Sequence, residues 1–214
     1  LPIFALFNPA LGVTSVIPNM NPRKPSLADG KNLVQTILEY NITTAFASPV
    51  IGKKIYDACK PENLTLPKVK RFFLAGAPSH PTLVKNLSNI ISKGTVILPY
   101  GATEALPISA TDHHEVKILA KDIAQGNGSC LGKPLSGNVV RIMPITHSPF
   151  ESGSNCPKGL EQGEVGEICI SGSIVSKEYF KMPGATVDSK FHDGKFNFHR
   201  MGDLGYFDSQ GFLR

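Results

Sequence analysis

The stretch "TVILPYGATEALP", residues 95–107, decides how this chain is read. Val96, Ile97 and Leu98 form an apolar run of strand length, and it stops at Gly101. A hydroxyl and a carboxylate follow at once, Thr103 and Glu104. A turn leading into a capped helix would account for these residues. A ligand site would as well: Gly101 lets backbone pass close to a ligand, and the Thr103 hydroxyl can donate to a phosphate oxygen. Glu104 can hold Mg²⁺, which takes one or two carboxylates and fills its shell with waters and phosphate oxygens.

On the amino side the pattern alternates. "DGKNLVQTILEY" (29–40) sets Leu33, Ile37 and Tyr40 at helical spacing, with Ser26 or Asp29 available as cap. "ITTAFAS" reads as a strand. "PVIGKKIYDACK" puts Ile51, Ile55 and Ala58 or Cys59 on one helical face, ended by the stretch from Pro61 to Pro67. "VKRFFLAGAP" reads as a strand. "SHPTLVKNLSNIISKG" reads as a helix capped by Ser79, striped by Leu83, Leu87 and Ile90, and stopped by Gly94. Strands alternating with such helices predict βαβ units, a parallel sheet and right-handed crossovers. "AGAPS" and "YGATE" then both follow the carboxyl ends of strands, the edge where open α/β sheets bind ligands. If those strands are neighbours, the loops are about 5 Å apart.

From about residue 126 the texture changes, and Gly and Pro punctuate short alternating runs: "NVVRIMPI", "GEICISGS" and "KFNFHRMGDLGYF". The expected fold is therefore α/β, a parallel-sheet unit over 1–125 followed by a smaller β-rich unit over 126–214. That second unit reads as a distorted barrel or sheet, joined through "GNGSCLGKPLSG".

With 214 residues, 41% hydrophobic and 18% charged, the chain can bury a sizeable core. Its formal charge, 22 − 17 = +5, is spread without a basic run, which argues against nucleic acid as partner. Cys59, Cys130, Cys156 and Cys169 form no CxxC pair and read as free thiols in a reducing cytoplasm. Four N-x-S/T sequons, at Asn41, Asn63, Asn86 and Asn127, follow no secretory segment and read as chance matches. The opening "LPIFALFNPALGVTSVIP" is broken by Pro2, Pro9 and Gly12 and is too short to span a bilayer. With no initiator Met and an end in mid-pattern at "GYFDSQGFLR", the chain reads as a fragment. Several motifs fail on spacing. Gly126, Gly128 and Gly132 do not make G-x-G-x-x-G, and "HHEVK" (from His113) lacks the second His of a zinc helix and reads as a loop. Neither Ser136 nor Ser171 sits in a nucleophile elbow.

"LAGAPSH", "YGATE", "GEVGEICISGSIVSKEYFKMPGATVDSKF" and "HRMGDLGYFDSQGFLR" occur in the order of one family. Together they resemble the adenylate-forming superfamily of acyl-CoA synthetases, peptide synthetase adenylation domains and luciferases. The likeness covers essentially the whole chain, and within the superfamily "LPIFALFNPALGVTSVIPNMNPRKPSLAD" and "HRMGD" look closest to the olefin-pathway β-lactone synthetases. The resemblance implies that Gly76, Ala77 and Pro78 wall an adenine pocket, that Tyr100 packs against the base, and that Gly101 and Ala102 let the nucleotide approach. It implies that Thr103 contacts the α-phosphate, that Glu104 is the Mg²⁺ ligand, and that Asp203 accepts from the ribose hydroxyls. The implied cofactors are ATP and Mg²⁺, with CoA in the thioester-forming branch, and the implied partner is a small carboxylic acid.

Departures bear on this. The family's Ser/Thr/Gly-rich phosphate loop and its C-terminal lid are missing from these residues, so the chain alone is expected to bind nucleotide weakly and not to turn over. Acyl-CoA synthetases often carry His after "PLF", where this chain has Ala5 after "LPIF". Met201 replaces the commoner Thr before Gly202. The expected reaction is ATP-dependent activation of a fatty or β-hydroxy fatty acid as its acyl adenylate, followed by β-lactone closure. The alternatives are fatty acyl-CoA or acyl-AMP ligation, an inactive nucleotide-binding scaffold, or a sugar- or flavin-binding α/β domain. Phe4, Phe46, Ser48 and Pro49 lie where relatives shape an acyl pocket, though each aromatic also suits a core.

Overall fold

The computed structural model describes residues 7–214, so the expectations attached to Phe4 and Ala5 lie outside the described residues. Two compact units divide the chain, the first ending at Ile97 and the second running Leu98–Arg214.

In the first unit, helix α1 (Gly30–Glu39) starts where the Asp29 carboxylate accepts from the amide of Lys31 at 2.9 Å. Strand β1 (Thr44–Ala47) follows, then α2 (Pro49–Cys59), capped by the Ser48 hydroxyl with Pro49 in the first turn, where a missing N–H costs nothing. Strand β2 (Arg71–Leu74), helix α3 (Pro81–Ile90) and the start of β3 (Thr95–Ala102) complete the alternation. β1 and β2 are parallel, Thr44 opposite Arg71, and β2 and β3 are parallel, Phe73 opposite Ile97. The predicted parallel βαβ order is therefore present. Two local expectations are corrected. The cap of α3 is His80, whose Nδ1 accepts from the Thr82 amide at 3.2 Å, because Pro81 fixes the first helical position. Ser79 Oγ is instead buried without a hydrogen-bond partner. The buried stripe of α3 is Val84, Leu87 and Ile90, and in α1 it is Leu33, Val34 and Ile37 while Tyr40 faces out. Overlapping apolar stripes each fit a 3.6-residue period, and packing chooses between them.

In the second unit β3 ends at Ala102, and β4 (Ala105–Asp112) begins after only Thr103 and Glu104. The two strands are sheet neighbours, and so short a connection joins only antiparallel strands. Neither a loop nor a helix start, the "YGATE" stretch is a tight hairpin. Helices α4 (His113–Ile118) and α5 (Ala120–Ala124) follow. "HHEVK" is thus helical, not a loop: Asp112 accepts from the amides of His114 and Glu115, and Glu115 reaches back to the Asp112 amide, a capping box. Strand β5 (Lys133–Pro134) pairs with β4, Ser109 opposite Pro134. The change expected near residue 126 falls inside this unit, because that pairing ties the two sides of it together.

The second sheet contains β6 (Val139–Met143), β7 (Gly166–Ser171), β8 (Lys190–His192) and β9 (Asn197–Gly205) in the order β6-β7-β9-β8, all antiparallel. Helix α6 (Pro183–Ser189) stands between β7 and β8, within the stretch that the texture predicted as β-rich. Met143, Cys169, Phe191 and Phe198 pack as one core cluster, and Ile142, Ile168 and Leu213 as another. All four cysteines are free thiols. Among the described residues no helix is long and apolar enough to cross a membrane.

Candidate active site

The turn after β3 carries Thr103, which is exposed, and Glu104, which is half-buried. A Cβ on Gly101 would stand 2.5 Å from the carbonyl oxygen of Ala105 and 3.1 Å from Cα of Leu106. The hairpin itself therefore requires glycine there, whatever else passes close to it. The amide of Ser176 donates to the carbonyl of Glu104 at 2.8 Å, and Ala105 forms a bridge with Val175. The turn is thereby laced to the segment that follows β7.

The Glu104 side chain is held too: Tyr179 Oη donates to Oε1 at 2.7 Å. This hydroxyl, then Glu104's own amide, hold its carboxyl below the usual range, with His199 and Lys190 adding positive potential. Lys190 Nζ lies 3.3 Å from both Ser176 Oγ and His199 Nδ1. Burial lowers the pKa of His199 and that of Lys190, and the Lys190 charge lowers His199 further. Ala102, Glu104, Tyr179, Ser189, His199 and Gly202 line part of a cavity of about 310 Å³. Its wall also includes Glu167 and Arg200, an ion pair at 2.6 Å whose guanidinium additionally donates to the carbonyls of Thr146 and Ser148.

Across the same unit Tyr100 Oη donates to Asp203 Oδ2 at 2.7 Å. Its ring packs against two core clusters, one containing Ile108 and Ile170 and the other Ile142 and Ile168. Burial, then the Asp203 carboxylate, push the phenol pKa far up, so it stays a neutral donor. Asp203 is exposed and follows Gly202, whose φ of +71° turns the strand with open space beside it.

The structure thus brings Tyr100 to Asp203 and Glu104 to Tyr179 within the second unit. Gly76, Ala77 and Pro78 lie exposed in the loop after β2, in the first unit. Among the described residues no group of three or more His, Cys, Asp or Glu side chains gathers as a metal cluster. Ser48 serves as the cap of α2 and Phe46 stacks on Phe73 with ring centroids 6.2 Å apart, as core packing would have it. Sequence reasoning missed Tyr179, Lys190, His199 and the Glu167–Arg200 pair. They stand in "KEYF", "SKF", "FHRM" and "GEVGEI", but no local pattern reports a pairing 75 or 33 residues away.

A parallel βαβ unit followed by an antiparallel sheet is the fold of large domains of adenylate-forming enzymes. Unliganded o-succinylbenzoate coenzyme A synthetase from Bacillus subtilis superposes with a TM-score of 0.71 at 22% identity, over 99% of this chain and 39% of that one. The chain belongs to the AMP-binding enzyme family, whose model matches residues 3–180. Thr103 and Glu104 lie within that match and Asp203 beyond it. Among curated proteins the chain is 38% identical to an olefin beta-lactone synthetase of Stenotrophomonas maltophilia, over 99% of this chain and 39% of that protein. It is 37% identical to an olefin beta-lactone synthetase of Xanthomonas campestris pv. campestris, over 99% of this chain and 38% of that protein. The chain therefore spans less than half the length of these relatives.

Proposed function

We propose that the protein to which this chain belongs activates a carboxylic acid, a fatty or β-hydroxy fatty acid, with ATP and then closes the acyl adenylate to a β-lactone. The observation that carries the reading is the second unit's pair of anchored carboxylates. Glu104 is presented beside the Thr103 hydroxyl, and Asp203 stands exposed beside Tyr100. The donor set fits Mg·ATP. Mg²⁺ takes hard oxygen ligands and needs only one or two carboxylates when phosphates supply the rest, and Glu104 is an ionised carboxylate on an accessible turn.

In this reading Glu104 holds the metal, and a bound Mg²⁺ supplies charge neutralisation at the phosphates. Thr103 donates to the α-phosphate, Asp203 accepts from the ribose hydroxyls, and Gly101 and Ala102 face the nucleotide. Tyr100 borders the base in the same unit as Asp203, and Gly76, Ala77 and Pro78 in the first unit are adenine-facing residues; the 1–125 stretch thus carries the adenine and phosphate residues and the 126–214 stretch the ribose-binding Asp203. A substrate carboxylate oxygen bonds to the α-phosphorus as the bond to pyrophosphate breaks. The chain's contribution is positioning and charge stabilisation. The substrate's own β-hydroxyl then attacks the acyl carbonyl, loses its proton and expels AMP.

The likeness to the β-lactone synthetases supports the lactone branch. The likeness to a CoA synthetase supports a second reading, in which CoA displaces AMP to give a thioester. An inactive nucleotide-binding scaffold is the third, and it gives no reason for the chain to carry Thr103, Glu104 and Asp203 as polar groups. A cytoplasmic place in fatty acid metabolism fits four free thiols. The test uses the full-length enzyme with Mg·ATP and a long-chain β-hydroxy acid, with and without CoA, and reads products by mass spectrometry. A product one water lighter than the acid, formed without CoA, is expected. A thioester formed only with CoA selects the second reading, and no product from either selects the scaffold.

A further inference from the structure

Glu104 is gripped at two points by the segment after β7. The Ser176 amide donates to its carbonyl at 2.8 Å, and the Tyr179 hydroxyl donates to Oε1 at 2.7 Å. Tyr179 is held in turn. Its own amide donates to Thr186 Oγ1 at 3.0 Å, and the Thr186 hydroxyl donates to the Met182 carbonyl, also at 3.0 Å. Lys190 Nζ stands 5.7 Å from the centroid of the Tyr179 ring, and His199 lies edge-on to it at 6.3 Å. The phenol is therefore a donor on a fixed ring, not a surface hydroxyl free to swing. A glutamate on a turn has three side-chain torsions, and ordering them when a ligand arrives weakens binding. Tyr179 is the side chain that orders them beforehand.

We propose that Tyr179 is the positioning residue for Glu104, occupying Oε1 so that Oε2 is presented to a divalent cation. The inference rests on the reading of Glu104 as a cation-holding carboxylate and goes beyond it by naming the residue that aims it. No step of acid activation passes through Tyr179 itself; it acts through Glu104.

The test is calorimetric binding of ATP to the full-length enzyme across a Mg²⁺ series and without Mg²⁺. Tyr179→Phe is expected to raise the Mg²⁺ concentration for half-maximal ATP binding about three- to tenfold, the loss of one ordinary hydrogen bond. ATP affinity without Mg²⁺ and the melting temperature should stay unchanged. Glu104→Gln should raise the Mg²⁺ requirement at least as far, and adding Tyr179→Phe to it should raise it no further. An unchanged requirement in Tyr179→Phe beside a raised one in Glu104→Gln overturns the positioning role and leaves the reading of Glu104 standing. An unchanged requirement in Glu104→Gln overturns both. Affinity lost equally with and without Mg²⁺, together with a lower melting temperature, makes Tyr179 a packing residue and also overturns the proposal.

Discussion

Tyr100 and Asp203, 103 residues apart in sequence, are joined by a hydrogen bond of 2.7 Å from phenol to carboxylate. The tyrosine ring packs against the core of the second unit and the carboxylate stands in solvent, so the bond fixes β9 just past its turn at Gly202 against packed hydrophobic side chains. If Asp203 receives the ribose, Asp203→Ala in the full-length enzyme lowers ATP affinity about tenfold or more, since a hydrogen bond to a charged acceptor contributes about 1.5–3 kcal/mol. Tyr100→Phe lowers stability by only about 1 kcal/mol, because water replaces the lost donor. Titration calorimetry and thermal melts check both, and an Asp203→Ala enzyme with unaltered affinity removes Asp203 from the site.

Glu167 and Arg200 present the opposite case, an ion pair whose side chains are only 9% and 13% exposed. Arg200 also holds the carbonyls of Thr146 and Ser148 and lies 4.6 Å from the Phe150 ring centroid, so its charge cannot turn out to water without breaking those contacts. Glu167→Ala strands that guanidinium and is expected to destabilise the protein by about 3–5 kcal/mol. The double change with Arg200→Met should recover part of the loss. Urea unfolding measures both, and equal stability of wild type and Glu167→Ala would mean that Arg200 finds other partners.

Gly101 and Gly202 separate two reasons for glycine. At 101 a methyl group would strike the Ala105 carbonyl at 2.5 Å, while at 202 it would meet nothing within 4 Å but would occupy a φ of +71°. Gly101→Ala is expected to cost about 1–3 kcal/mol by overpacking and to move the Thr103–Glu104 turn. Gly202→Ala should cost about 1–2 kcal/mol from backbone strain alone. Thermal denaturation ranks them, and the Mg²⁺ concentration needed for ATP binding should rise only for Gly101→Ala, whose turn carries Glu104.

Asp193, in the turn between β8 and β9, accepts from the amides of Phe196 and Lys195 and pairs with Arg141, which together hold its pKa at about 2. A carboxyl depressed below its ordinary 3.8 contributes stability that is full above that value and is lost as pH falls toward about 2. Asp193→Asn should therefore be less stable than wild type near neutral pH, with the gap closing through that acid window. Denaturant unfolding across the pH range measures it. A gap that does not narrow would assign the effect to geometry, not charge.

Much of this was open to local pattern. Strand and helix alternate through residues 29–102 as periodicity, caps and prolines indicate, because each such element is specified by residues within a turn or two of one another. The capping box at Asp112 and Glu115 is also written in the sequence, three residues apart around the His113–His114 pair. Thr103 and Glu104 stood out for their polarity after an apolar run, and that signal is local as well. The partners that hold them are not. Tyr179 meets Glu104 across 75 residues and Asp203 meets Tyr100 across 103, and a hydrogen bond at that separation leaves no periodicity or spacing to read. Nor did any pattern reveal that Gly101 is needed by the hairpin's own carbonyl at Ala105, since that clash exists only once the chain has folded back on itself. Side-chain chemistry is carried by residue type and can be listed from a string of letters, whereas orientation, exposure and charge state arise from neighbours that only the folded chain supplies.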